Sequence, residues 1–275
     1  MDKSFYNVSI EAKEDFMKPF LLKKLVPVPK IEDHKIAVFI GPHPDDIEIA
    51  CGATIAKLKR LGVQVHFIII TDGQGGSTDE TLTEEVLIST RSQESMAGAT
   101  VFGVDSIENL NYPDGGIYEV NGVAHKLVKR LIALKPDIVF SPDPRLPSEI
   151  HPDHLKAGEA ATLAIYISQY PSVMKIRHID YDIKQFQSIP PTLAYYYTDR
   201  PNQRVIVTDK DCQMANQAIL KHQSQFQESS PAWKSLNQYL WLRRHRMAGL
   251  FHRMADGYRV LGPVHQHCFP EINEY

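Results

Sequence analysis

Apolar residues along this chain come in short unbroken runs, and between the runs they recur every three or four positions. Ile36–Gly41 and Gln64–Thr71 are runs of the first kind, the second almost continuous through Val-His-Phe-Ile-Ile-Ile. A stretch that is apolar on both faces suits a strand of a parallel sheet, which helices cover on either side. Ile47, Cys51, Ile55 and Leu58 recur at helical spacing and predict a helix over Asp45–Leu61. The same reading predicts helices over Glu84–Phe102, Val120–Leu134 (ended by Lys135-Pro136) and Asp153–Gln169. Ile107–Leu110 and Asp137–Phe140 read as further short strands. This βαβα order predicts an α/β fold: a doubly wound, mostly parallel sheet with helices on both faces, Rossmann-like in plan.

Past about residue 190 the pattern loosens into a C-terminal elaboration. Thr192–Tyr197 and Arg204–Val207 read as strands, Lys210–Gln225 and Trp233–Gly249 as helices. No Gly/Ser-rich linker, repeat or low-complexity tract divides the chain. The 275 residues are therefore expected to form one domain, with an N-terminal extension over 1–35.

Composition narrows the partners. A hydrophobic content of 43% with 23% charged residues is ordinary for a soluble globular protein. A net charge of −3 offers no basic footprint for nucleic acid. No apolar run approaches the roughly 18 residues of a membrane span, and Met1–Phe16 lacks the apolar core of a signal peptide. Three scattered cysteines, Cys51, Cys212 and Cys268, imply no disulfide framework. A cytoplasmic location, without nucleic acid and without an integral membrane segment, is the expectation.

Two clusters carry candidate chemistry. His43-Pro-Asp-Asp46 directly follows the first apolar run, and His151-Pro-Asp-His154 follows the fourth by way of a proline-rich loop. Ligands of open α/β sheets bind beyond the carboxyl ends of the strands, where both clusters fall. Catalytic zinc uses three imidazole or carboxylate ligands plus water. His43 and Asp46 can supply two of them, and His151 or His154 a third. The remaining histidine, Asp45 and Asp153 are then free for acid–base or supporting work. Other divalent metals suit the same donors. Alone, a His-Pro-Asp-Asp turn is more often a helix cap; a second cluster at an equivalent position outweighs that reading. A nucleotide-binding α/β protein is the first alternative, but Gly41-Pro-His-Pro-Asp-Asp46 lacks G-x-G-x-x-G and its carboxylates would repel a pyrophosphate. A metal-bearing but non-catalytic carbohydrate-binding module is the second, and it has no use for an acid–base pair.

The run from His43 to Thr54 resembles the signature of the PIG-L/LmbE family of zinc-dependent de-N-acetylases, and His151–His154 resembles that family's second motif. Thr71–Gly76, Thr90–Glu94 and Leu110–Gly115 lie between them in the family's order, and Lys221-His-Gln-Ser-Gln225 resembles a weaker C-terminal feature. The resemblance covers about residues 35–250. It implies that His43, Asp46 and His154 hold Zn2+, and that Asp45 is the general base toward metal-bound water. His151 would stabilise the oxyanion or protonate the leaving amine, Asp153 would orient His151, and Arg91 would contact the substrate near its amide. The implied reaction removes acetyl from an N-acetylated amino sugar or glycoconjugate, and the implied assembly is a homo-oligomer, trimer or hexamer.

Other residues have two readings each. Glu48 supports a ligand, or is solvated or capping. Gly73, Gly75 and Gly76 let a substrate approach the backbone, or form a flexible turn. Asp143-Pro-Arg-Leu-Pro147 stiffens a loop at the pocket mouth, or merely connects. Among Tyr195, Tyr196 and Tyr197, one or two line a sugar pocket, although packing is the commoner role. His222 reads as structural, and His265-Gln-His267-Cys268 as a surface tail rather than a metal cluster. Trp233, Tyr239, Trp241, Phe251 and Tyr258, set among basic residues, suggest a subunit interface.

Overall fold

Strand β1 (Ile36–Gly41) lies at the centre of the sheet and alternates its side chains between two cores: Ala37 and Phe39 face one, Val38 and Ile40 the other. Burial on both faces is the reason its sequence is apolar without interruption. The computed structural model describes residues 21–77, 81–250 and 254–275. From β1 the chain runs through α1 (Asp46–Arg60), β2 (Gln64–Thr71), α2 (Glu84–Phe102), β3 (Ser106–Tyr112) and α3 (Val120–Leu134). It continues through β4 (Ile138–Pro142), α4 (Pro152–Ser168), α5 (Pro171–Ile176), β5 (Thr192–Tyr196) and β6 (Gln203–Ile206). It ends with α6 (Asp209–Ile219), α7 (Pro231–Ala248) and β7 (Ala255–Leu261).

The strands lie in the order β3-β2-β1-β4-β5-β7-β6. β1 to β5 pair in parallel, and β7 is antiparallel to both β5 and β6. The chain winds outward from β1 to β3, then returns to lay β4 against the free side of β1. This reversal is the topological switch point, where open α/β sheets form their ligand crevice. Helices α1, α2 and α6 cover one face and α3 and α4 the other. Gly52 brings α1 close to α6: a Cβ there would meet the Ala215 Cβ at 2.8 Å.

Three features depart from the pattern of the sequence. Strand β7 was not expected, because Asp256, Gly257 and Arg259 interrupt its apolar run. Its Asp256 is 1% exposed yet fully partnered: it accepts from Arg244 Nε (3.1 Å), Thr54 N (3.2 Å) and Thr54 Oγ1 (2.9 Å). Helix α5 was also missed, its 6 residues being too few to display a period. Helix α6 stops at Ile219 rather than Gln225. The following turn instead carries His222 inward to Glu48 and lets Gln225 Nε2 donate to Gly76 O (2.8 Å).

The segment Val26–Ile31 and the C-terminal Tyr275 are held by hydrogen bonds. Ile31 N–H donates to Gln203 Oε1 (2.6 Å), Gln203 Nε2 donates to Pro29 O (2.8 Å), and Tyr275 Oη donates to Val26 O (2.7 Å). Of the aromatic residues expected at an interface, Trp233 and Tyr258 are core residues. Tyr239 and Trp241 are more than half exposed, and Phe251 lies outside the described residues. Among the described residues no helix is long and apolar enough to cross a membrane.

Candidate metal centre

The turn leaving β1 holds its shape through the side chain of Asp46. Its Oδ2 accepts the His43 backbone N–H (3.1 Å), lies 2.9 Å from His43 Nδ1 and lies 3.4 Å from His154 Nε2. His154 arrives from the first turn of α4, which follows β4, the neighbour of β1 across the switch point. The fold thus joins residues more than a hundred positions apart. The ligand atoms of His43, Asp46 and His154 lie within 4.8 Å of one another.

The far nitrogen of each ring is backed by carboxylate. His43 Nε2 lies 3.1 Å from Asp114 Oδ1 and 3.3 Å from Asp153 Oδ2, and His154 Nδ1 lies 3.0 Å from Glu149 Oε2. Metal-ligating histidines are typically oriented in this way, which fixes the tautomer and raises ligand basicity. Two imidazoles and one carboxylate, turned inward and supported from behind, fit a divalent ion of the zinc type.

The carboxylates and imidazoles of the cluster shift one another's protonation. Burial opposes protonation of His43, but its hydrogen bonds to Asp114, Asp153 and Asp46 push its pKa up to about 12. His154 moves in the same direction, burial being outweighed by Asp46. Burial alone would raise Asp46, yet hydrogen bonds with His154 and His43 hold it well below the usual carboxylate range. Without a metal, protons on the rings supply the positive charge that the carboxylates demand.

Asp45 is the N-cap of α1 at φ 120°, a strained backbone for a residue with a Cβ, and it makes no side-chain cap. Its carboxylate faces Arg91 Nη2 (3.2 Å) instead. Burial, followed by the charge of Asp46, raises its pKa to about 7. Arg91 is not a solvated helix residue: at 3% exposure it donates to Gly73 O (2.9 Å) and Pro44 O (2.8 Å), joining two loops. Gly73 and Gly76 make room for it. A Cβ at Gly73 would lie 2.7 Å from Arg91 Nη1, and one at Gly76 would collide with the same atom. These glycines therefore admit the guanidinium. Glu48 is buried at 1% exposure with Oε1 3.2 Å from His222 Nε2, which rules out a solvated Glu48.

His151 caps α4, its Nδ1 accepting the Asp153 backbone N–H (3.3 Å), which leaves the ring proton on Nε2. Burial, then the charges of His43 and His154, lower its pKa. The Asp153 carboxylate accepts the N–H groups of Gly115 and Gly116 (2.9 Å each) and stands nearer to His43 (3.3 Å) than to His151 Nδ1 (3.7 Å). Asp114 falls in the family-like stretch Leu110–Gly115 but has no role assigned by the sequence, and Glu149 has neither. Pro113-Asp114-Gly115 carries the composition of any turn, and only its position after a third parallel strand distinguishes it. Glu149 lies in a proline-rich loop with no motif of its own.

His43, Asp45, Arg91, Asp114, His151 and Gln225 line a polar cavity of about 520 Å³. Tyr195 belongs to the core, its Oη 2.6 Å from Thr162 Oγ1, and Tyr196 Oη donates to Ile40 O (2.8 Å). Tyr197 lies parallel to the His154 ring at 6.0 Å. The C-terminal histidines are remote from this centre. His265 is buried at 4% exposure against Phe269 and Tyr275, not on the surface. Among the described residues, the His/Cys/Asp/Glu groups close enough to share an ion all include His43.

Comparison with known proteins points the same way as this geometry. The PIG-L family model, described as GlcNAc-PI de-N-acetylase, matches residues 38–165. A diacetylchitobiose deacetylase of Thermococcus kodakarensis is 32% identical over 240 residues, covering 86% of this chain and 87% of the relative. The solved N,N'-diacetylchitobiose deacetylase of Pyrococcus horikoshii, in complex with an inhibitor, superposes with a TM-score of 0.81 at 34% identity, covering 94% of this chain and 96% of that one. The 4-carboxy-2-hydroxymuconate hydratase GalB of Pseudomonas putida shares the fold (TM-score 0.66, 83% of this chain and 97% of that one) at only 18% identity. That likeness speaks to architecture alone.

Proposed function

The chain belongs to the PIG-L family, and on that premise we propose that it is a zinc-dependent N-deacetylase of N-acetylated amino sugars. The observation that carries the reading is the convergence of His43, Asp46 and His154 at the switch point, each imidazole backed by a carboxylate and flanked by Asp45 and His151. A divalent ion held by these three would supply Lewis-acid polarisation of the amide carbonyl and a water whose pKa is lowered to about 7.

The protein's own residues do the rest. Asp45 takes the proton of the attacking water at its carboxylate, and a pKa raised by burial suits a base working near neutrality. Arg91 holds that carboxylate in position and bounds the cavity beside it. His151 presents Nε2–H toward the developing oxyanion. The proton that Asp45 gains from the water is then the one passed to the departing amine, so His151 can remain a neutral donor. Asp153, fixed by two backbone N–H groups, steers His43. Asp114 and Gln225 offer the polar cavity groups that bind sugar hydroxyls. Diacetylchitobiose and N-acetylglucosamine are the first substrates to test. Acetate release, abolished by chelation and restored by zinc, is the expected result; acetate release that persists in metal-free protein would refute it.

A further inference from the structure

We infer that a cavity on the far side of His154 is an acyl subsite, and that the chain cleaves N-acyl groups longer than acetyl. The inference rests on the N-deacetylase reading and extends it to the acyl half of the substrate. The ligand triad stands between two cavities. On the His43 side lies the polar cavity of Asp45, Arg91, Asp114 and Gln225, equipped for hydroxyl groups. On the His154 side lies a second cavity of about 550 Å³, with His154 itself in its wall.

The wall of that cavity sets the carbon of Leu146, Pro201, Leu242 and Met247 beside the polar side chains of Ser148 and Thr198. Of its charged groups, Glu149 and Arg243 are engaged near the centre, while Arg246 stands further along the wall. Glu149 holds His154 Nδ1 at 3.0 Å, and Arg243 donates to Ala50 O (2.9 Å) while lying over the rings of Tyr197 (5.7 Å) and Tyr239 (6.0 Å). A secondary amide is planar and trans, so its acyl carbon leaves the carbonyl on the side opposite the amine substituent. With the sugar in the polar cavity and the carbonyl at the triad, the acyl carbon lies on the side away from the sugar, and His154 is the ligand that borders the second cavity. An acetyl methyl is about the size of a water, whose share of liquid volume is roughly 30 Å³. The cavity exceeds that more than tenfold, and Leu146, Pro201, Leu242 and Met247 offer carbon surface to methylene groups.

The test measures release of free amine from N-acetyl-, N-butyryl-, N-hexanoyl- and N-octanoylglucosamine and from diacetylchitobiose. The zinc-loaded chain is compared with Leu146→Trp and Met247→Trp, two variants that fill the cavity from different walls and are checked for folding by circular dichroism. A hexanoyl substrate with kcat/KM above, or within tenfold of, the acetyl value supports the inference; the ceiling is a gain of about fourfold per buried methylene. In at least one folded variant the hexanoyl-to-acetyl ratio should then fall tenfold or more. A hexanoyl value below one tenth of the acetyl value overturns the inference and leaves the deacetylase reading intact. So does a ratio that neither variant moves. A loss confined to diacetylchitobiose would give the cavity to a second sugar and overturn the acyl assignment. No amine from any of the substrates would overturn both readings.

Discussion

Asp45 and Asp46 are chemically identical neighbours placed in opposite electrostatic situations. Asp46 accepts from two imidazoles and stays ionised, whereas Asp45, buried beside that fixed negative charge, is pushed toward neutrality. The proposed division of labour follows from this difference. Asp46→Ala and His154→Ala should lose metal and activity together. Asp45→Asn and His151→Ala should retain metal and lose turnover, by roughly 10²–10⁴-fold for a base. Elemental analysis beside steady-state kinetics separates the two classes, and a fully active Asp45→Asn would remove it from the base role. Glu149 has the same logic one bond further out. Because it backs His154 Nδ1, Glu149→Ala should weaken metal affinity by about 10–100-fold, the range typical for a lost partner of a ligating histidine. Competition with a chelator measures that directly, and unchanged affinity would mean that the contact does not orient the ring.

Helix α1 carries Asp46 at its first turn, and the elements that hold the helix come late in the chain. Thr54 on α1 donates twice to Asp256 of β7, Tyr258 Oη donates to Thr54 Oγ1 (2.7 Å), and Arg244 of α7 pairs with the same carboxylate. Arg244 is 2% exposed, so its charge depends on Asp256. Removing one partner of a buried pair leaves the other uncompensated, at a cost of about 3–5 kcal/mol. Asp256→Ala should therefore lower unfolding stability in urea by about that amount. Replacing Asp256 and Arg244 together by apolar residues should cost much less. A loss in the double variant equal to the sum of the Asp256→Ala and Arg244→Ala losses would show that the pair is not coupled.

At the scale of the whole molecule, protons and metal compete for one cluster. In metal-free protein Asp46 and Asp114 have depressed pKa values, so their contribution to stability is present above the unfolded carboxylate range near pH 4 and is lost as pH falls. His43 has a raised value, so its contribution is complete below its unfolded pKa of about 6.5 and declines as pH rises toward the folded value. Metal-free protein should thus gain most from this cluster between about pH 4 and 6.5. Metal must displace the ring protons, so the Tm increase on adding zinc should grow from pH 5.5 to pH 8. A zinc-induced shift that is flat across this range would contradict imidazole ligation. Assembly belongs to the same scale. Trp241 of α7 is 54% exposed and does not line the cavity beside His154, in keeping with burial against further copies. Sedimentation at micromolar concentration should give three or six times the 31.2 kDa chain mass. A monomer would assign Trp241 to another purpose.

The sequence by itself determined the alternation of strand and helix, because residues buried on two faces must be apolar throughout and residues on one helical face must recur every three or four positions. It also determined that His43, Asp46, His151 and His154 fall at the carboxyl ends of strands, since each motif directly follows a run or its loop. Only the tertiary structure decided which strand ends meet. The reversal that lays β4 beside β1 leaves no local mark, yet it is what brings His154 to Asp46. The supporting roles of Asp114, within the family-like stretch Leu110–Gly115, and of Glu149 were illegible for a related reason: each becomes distinctive only through the imidazole nitrogen it faces in the folded chain. Strand β7 escaped because its polar residues are satisfied by α1 and α7, so period and propensity mislead wherever burial is stabilised by distant partners. The glycines beside Arg91 make the same point from the opposite side. Their lack of side chains was plain in the sequence, but the buried guanidinium that requires it belongs to a helix whose position only the fold could set.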